Sequence, residues 1–167
     1  MVRPSGTIEA NESTTHMQPR MMNPAMILPE AAQGIQSLIS GIFKAGVPRT
    51  TLDLVHLRVS QINGCGACVD SGSRAAKQAG EAAERLFTVA AWRHAPYFSD
   101  AERAALALGE AETRLADRED AVPDAIWNEA RRYYDEKQLA GLVLWISLTN
   151  MFNRLNVSTR QIGGTWG

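Results

Sequence analysis

Cysteine is scarce in this chain of 167 residues: there are two, Cys65 and Cys68, three positions apart. A pair that close cannot staple a fold as the disulfide framework of a small secreted domain does, so stability must come from an apolar core. Excess charge is also missing, since 17 Lys and Arg face 18 Asp and Glu for a formal net charge of -1. That balance offers no basic field for nucleic acid or an anionic membrane. No run approaches the roughly 20 apolar residues of a membrane span, and the N-terminus lacks the apolar stretch of a secretory signal. The expected setting is cytoplasmic, with neither nucleic acid nor membrane as partner. Strand-like alternation is missing too, and with it any glycine-rich loop between a strand and a helix, so no nucleotide cofactor is expected.

Apolar residues make up 45% of the sequence, ample for one core. Residues 1–29 stand apart. Polar and broken by Pro4, Gly6, Pro19, Pro24 and Pro29, they read as a poorly ordered tail, or as one docked on a neighbouring subunit to cover Met21, Met22, Met26, Ile27 and Leu28. Residues 30–167 read as one helical domain. The spacing predicts a helix from about Glu30 to Lys44, stopped by Gly46, and a second opened by Pro48 that carries Leu52, Val55, Val59 and Ile62 to a turn at Asn63-Gly64. Further helices are predicted over about 65–80, over about 81–93 before Pro96, and over about 101–115 behind a Ser99/Glu102 capping box. Pro123 opens another. The last, about Glu136 to Arg154, is apolar nearly all round, which points to burial on both sides and so to contact between copies of the chain. The fold class is all-α, a helical bundle expected to assemble as a homo-oligomer.

Chemistry concentrates at Cys65-Gly66-Ala67-Cys68. Residues i and i+3 share a helix face, so the two sulfurs can reach disulfide geometry with little backbone strain. Such a pair is a redox device, half a zinc site, or two small buried apolar side chains. Zinc needs four ligands, and His16, His56 and His94 stand at no ligand spacing from the pair, so no metal is expected. A place at the start of a helix favours the thiolate. Lowering a thiol pKa from about 8.5 to about 6.5 raises the thiolate fraction at pH 7 from about 3% to about three-quarters, and takes about 2.7 kcal/mol. A helix dipole supplies about 0.3 to 1 kcal/mol at an exposed site, so a base or hydrogen bonds must add the rest.

The segment Leu54-Val55-His56-Leu57-Arg58-Val59-Ser60-Gln61-Ile62-Asn63-Gly64-Cys65-Gly66-Ala67-Cys68-Val69-Asp70 resembles the core of the carboxymuconolactone decarboxylase family, in its alkylhydroperoxidase D-like (AhpD-like) branch. The similarity continues through Arg85-Leu86-Phe87, Ala90-Ala91-Trp92-Arg93 and Asn153-Arg154-Leu155-Asn156. The resemblance implies an all-helical fold, assembly as a homotrimer or homohexamer, and reduction of a peroxide by the cysteine pair, which an external dithiol then resets. In the family motif an acid stands about twelve residues before the first cysteine and a His four residues after the second. Here those positions hold Asp53 and Gly72, and Ala67 stands where the alkylhydroperoxidase prototype has a further His. Gly72 has no side chain with which to relay a proton.

If the helices flanking Asn63-Gly64 fold back as a hairpin, Asp53 lies about 16 Å from the turn along its axis, Gly72 about 12 Å and Cys68 about 6 Å. Asp53 then faces Gly72 rather than the thiols, and His56 is the nearby imidazole that the sequence nominates as a substitute. Asp53 has another reading as the acid of a capping box with Thr50, and His56 another as a side chain turned to solvent or an interface. The candidate catalytic residues are Cys65, Cys68, Asp53 and His56. Arg58, Ser60, Gln61 and Asn63 are expected to hydrogen-bond around the turn, and Trp92, Tyr97, Phe98, Trp127 and Trp145 to fill cores and interfaces. Two functions stay open. One is a thiol-dependent peroxide reductase or disulfide oxidoreductase, weakened by the loss of the His. The other is an oligomeric ligand-binding or redox-responsive protein of the same fold with little turnover.

Overall fold

The computed structural model describes residues 17–164, which hold helices and turns and no strand. α1 (Pro24–Ile27) and α2 (Pro29–Phe43) each start on a proline, and α3 (Arg49–Ile62), α4 (Gly66–Gln78) and α5 (Ala83–Thr88) follow. A 3-10 segment (Val89–His94) leads into α6 (Asp100–Thr113), and a 3-10 turn (Leu115–Asp117) precedes α7 (Asp124–Arg131) and the long α8 (Glu136–Ser158). The all-α expectation holds.

α3 is the axis of the bundle. It buries Leu52, Leu54, Val55, Leu57 and Val59 against α4 on one side and α6 and α8 on the others. Burying a side chain of that size is worth about 1.5 to 3 kcal/mol, so this one helix anchors three neighbours. The capping box at Ser99 and Glu102 opens α6 as the spacing predicts. A box not anticipated from the spacing, Asp135 with Gln138, opens α8.

Two boundaries differ from the sequence expectation. A continuous helix over 81–93 does not form, because α5 gives way to the 3-10 segment and Ala91 leaves helical geometry at φ -116°, ψ 29°. The tertiary reason is Arg103 on α6. Its guanidinium donates to Trp92 O at 2.9 Å, to Phe98 O at 3.1 Å and to Ala95 O, and so takes up carbonyls that a regular helix end would leave unpaired. α8 runs one turn past Arg154 and brings Asn156 inside the helix. Its inner face is buried, whereas Leu144 keeps 44% of its surface exposed.

The expectation of a loose or swapped tail falls partly on residues 1–16, outside the described residues. From residue 17 the chain lies along the end of α8 of the same chain. Arg20 donates from its backbone N–H to Thr159 O at 2.8 Å and from its guanidinium to Ser158 O at 2.9 Å, and Gln161 Nε2 donates to Met21 O at 2.8 Å. Among the described residues no helix is long and apolar enough to cross a membrane.

Between α6 and α8, burial pushes the Glu112 carboxyl up from 4.5 to about 7, although the Ser147 hydroxyl donates to it at 2.8 Å. From about pH 4.5 to about pH 7 the unfolded chain loses this proton while the folded chain keeps it, so stability falls as pH rises through that window. Glu112→Gln is expected to raise the urea midpoint at pH 8 and to leave it nearly unchanged at pH 4, which flattens the pH dependence between.

Candidate active site

The cysteine pair sits where α3 turns back into α4. The reversal requires a left-handed residue, which Gly64 supplies at φ 64° without the clash a side chain would bring. Cys65 then caps α4: its backbone N–H donates to Ser60 O at 3.0 Å, and its Sγ accepts from Cys68 N at 3.3 Å. Cys68 occupies the first turn of α4, and the two cysteines are joined as a disulfide. Both are buried, with 1% and 3% of their surface exposed. The arrangement can hold the pair as a dithiol or as a disulfide with little movement of the backbone.

Three asparagines on α8, one helical turn apart, fix this hairpin from behind. Asn63 Nδ2 donates to Asn150 Oδ1 at 2.9 Å and to Asn153 Oδ1 at 2.8 Å. Asn153 Nδ2 donates to Ser60 Oγ at 3.0 Å, and Asn156 Nδ2 donates to Cys68 Sγ at 3.2 Å. Behind Asn156 stands Asn23, whose Nδ2 donates to Asn156 Oδ1 at 2.6 Å. Ser60 and Asn63 thus bond around the turn as expected. Arg58 instead reaches across to Glu110 on α6 at 2.6 Å, beside Arg93 at 2.6 Å and the Trp92 indole at 3.1 Å. Gln61 departs from the expectation, since its Oε1 is buried with no hydrogen-bond partner among the described residues.

Gly72 proves to be occupied space. A Cβ built on Gly72 would stand 2.7 Å from His56 Nδ1 and 2.8 Å from Cε1, closer than atoms can pack. The imidazole from α3 lies over the glycine of α4, filling the room where the family's His would start. Trp145 walls it on the other side, ring centres 6.2 Å apart, and the Trp145 indole N–H is tied to Leu52 O at 2.7 Å. His56 is thus half-buried, packed against Gly72 and Trp145. Burial pushes its pKa below the usual 6.5, and the negative charge of Asp53 raises it part of the way back while Arg49 lowers it. Neutral imidazole is the form this site favours near pH 7, and neutral imidazole accepts protons.

Asp53 forms no capping box with Thr50, because α3 begins at Arg49 behind Pro48, which makes no side-chain cap. Its Oδ1 accepts from Arg49 Nε at 2.9 Å instead, and Arg49 rests on the Phe43 ring 4.3 Å from its centre. Asp53 is also close enough to His56 for its charge to act on the imidazole.

His56 and Cys68 line one cavity of about 230 Å³, with Asn23, Ala25, Met26, Ser71, Phe152 and Asn156 completing its wall. Cys65 is not part of that wall. A larger groove of about 610 Å³ at Trp127, Arg131 and Leu144 lies between α7 and α8 and holds no thiol or imidazole. Sequence reasoning missed Asn23 and Asn156. A signal for the second existed: Asn150, Asn153 and Asn156 recur at three-residue spacing in a helix otherwise apolar, and buried amides need partners.

Comparison with known proteins agrees with this architecture. The profile of the carboxymuconolactone decarboxylase family matches residues 29–111. The uncharacterized protein YdfG of Bacillus subtilis (strain 168) is 34% identical over 132 residues, 79% of this chain and 88% of its own length. Among solved structures, ATU0492 of Agrobacterium tumefaciens, of unknown function and provisionally described as the antioxidant defence protein AhpD, superposes with a TM-score of 0.80 at 27% identity, covering 89% of this chain and 99% of its own. The debrominase Bmp8 in its apo form shares the fold, with a TM-score of 0.72 at 22% identity over 81% of this chain and 73% of its own. With its C-x-x-C disulfide and helical bundle, the chain belongs to the carboxymuconolactone decarboxylase family, in the AhpD-like branch.

Proposed function

We propose that this protein is a thiol-dependent peroxide reductase in which Cys68 attacks, Cys65 resolves and His56 moves the proton. The observation that carries the reading is the imidazole of His56 seated in the space of a side chain at position 72, on the same cavity as Cys68. Neutral His56 takes the thiol proton. The Cys68 thiolate then attacks the terminal peroxide oxygen, the O–O bond breaks, and the leaving alkoxide or hydroxide takes the proton from the imidazolium. Cys68 is left as a sulfenic acid, which the Cys65 thiol attacks to form the disulfide and release water. An external dithiol supplies two electrons and two protons to restore the pair. A cytoplasmic setting, rich in thiol reductants, suits that last step.

Stopped-flow mixing of the reduced protein with hydrogen peroxide and with an organic hydroperoxide tests the reading. One peroxide should be consumed per chain, with a mass loss of about two hydrogens and no disulfide-linked dimer. Cys68→Ser should abolish the reaction, and Cys65→Ser should stop at a sulfenic acid that dimedone traps. Thiols that survive both peroxides would favour ligand binding over turnover. The same reading includes self-association across the exposed side of α8, where Leu144 stands beside the groove at Trp127. Light scattering at micromolar concentration should return at least three chains.

A further inference from the structure

Amide side chains donate at one end and accept at the other, and their direction is usually ambiguous. Here a backbone group sets it. Asn23 is the N-cap of α1, and its Oδ1 accepts from the Ala25 backbone N–H at 2.9 Å. A backbone N–H can only donate, so the Asn23 oxygen must face it and the Asn23 NH2 must face away, toward Asn156 Oδ1 at 2.6 Å. Asn156 is thereby turned with its own NH2 on Cys68 Sγ at 3.2 Å. All three side chains are buried, Asn23 at 6%, Asn156 at 9% and Cys68 at 3% exposure, so water does not compete freely for these bonds.

A donor held against a sulfur discriminates among its states. A disulfide or thiol sulfur is a weak acceptor, whereas a thiolate is charged and binds an N–H about twice as strongly as a neutral acceptor does. We infer that Asn156 is a catalytic residue and Asn23 its positioning residue: the chain Ala25 N–H to Asn23 to Asn156 fixes an amide donor on Cys68 that stabilises its thiolate and biases the pair toward the reduced state. The inference rests on Cys68 being the reactive thiol. It also gives the segment before α2 a chemical task, since the cap that orients the amides lies there. Among the described residues lining the cavity, only His56 titrates besides Cys68. Asp70, the nearest acid along α4, is engaged by Arg74 and by the Gly164 N–H. α1 and α8 bring no charged side chain to the cavity wall.

The test is the pH profile of Cys68 alkylation by iodoacetamide in the reduced full-length chain, with the modified site read by peptide mass spectrometry. Asn156→Leu is expected to raise the Cys68 midpoint by about one pH unit. In a glutathione redox buffer above pH 8 the same variant should shift the pair toward disulfide by about tenfold, or about 30 mV. Asn156→Asp keeps the volume and still accepts from Asn23, but places an anion on the sulfur, and should shift the midpoint at least as far. Asn23→Ser retains a capping oxygen and so the helix start, yet its shorter side chain ends one bond short of the Asn23 NH2 that reaches Asn156 Oδ1. It should move the midpoint in the same direction by a smaller amount. A midpoint unchanged in both folded Asn156 variants, or in Asn23→Ser alone, overturns the relay. A shifted midpoint in a protein that never consumes peroxide would sustain the relay and reject the peroxide reductase reading.

Discussion

Replacing His56 with Ala is expected to slow the reaction of the reduced protein with hydrogen peroxide by about 10²- to 10⁴-fold, the usual worth of a positioned acid and base. The loss should appear in the second-order rate of thiol consumption while the disulfide still forms. Its pH dependence carries the sign of the mechanism. Burial holds the His56 pKa below 6.5, so the natural protein should keep its rate as pH falls to that value and lose it only as the imidazole takes a proton below it. In His56→Ala the acid limb should move up to the pKa of the Cys68 thiol itself. Asp53→Asn removes the charge that raises the His56 pKa, so it should push the acid limb to still lower pH and weaken the imidazole as the base that takes the thiol proton. An Asp53→Asn profile that moves to higher pH would contradict the placement of Asp53 as support for His56.

The second large effect is at Gly72. Read from the sequence, this glycine is a missing His, and Gly72→Ala is a harmless change that improves helix propensity by up to about 1 kcal/mol. The structure reverses that expectation. The new Cβ would lie 2.7 Å from His56 Nδ1, and the ring, as the movable partner, must swing away. Gly72→Ala is therefore expected to cost about 10²-fold in peroxide rate, the scale of an ångström-size misplacement, and the displaced ring should offset the gain in helix propensity. Gly72→His alone should be no better, because two imidazoles cannot share the site. The pair His56→Ala with Gly72→His moves the imidazole from α3 to α4 and should recover much of what His56→Ala loses. Equal rates for His56→Ala and the double variant would mean that the imidazole acts by some route other than this cavity. A Gly72→Ala protein as fast as the natural one would remove His56 from the reaction.

How far the sequence could be read follows from the range of each interaction. Helix starts at Pro29, Ser99 and Pro123, the left-handed turn at Gly64 and the C-x-x-C pair are local in origin, and each is visible within four or five residues. The break at Ala91 was hidden, because its cause is Arg103 on the next helix, whose guanidinium collects carbonyls from 92 to 98. Asp53 was half legible: its distance from the thiols followed from helical rise, but its partner Arg49 competes with a capping box of equally good spacing. His56 could be nominated by elimination, yet nothing local says which way its ring turns.

The amino-acid sequence by itself determined that this chain is a bundle of helices, that a C-x-x-C pair caps one of them after a glycine turn, and that the family's imidazole is missing from its usual place. Those properties rest on periodicity, capping chemistry and residue identity, which neighbours along the chain are enough to set. Tertiary structure decided that an imidazole is present nonetheless, because packing α3 on α4 lays His56 over Gly72, 16 positions away. It also decided that an amide from α8, 88 residues from Cys68, and a cap 133 residues from that amide meet at the sulfur. No periodicity encodes such meetings, since a side chain's partner across the core is fixed by how whole helices dock and not by the residues beside it.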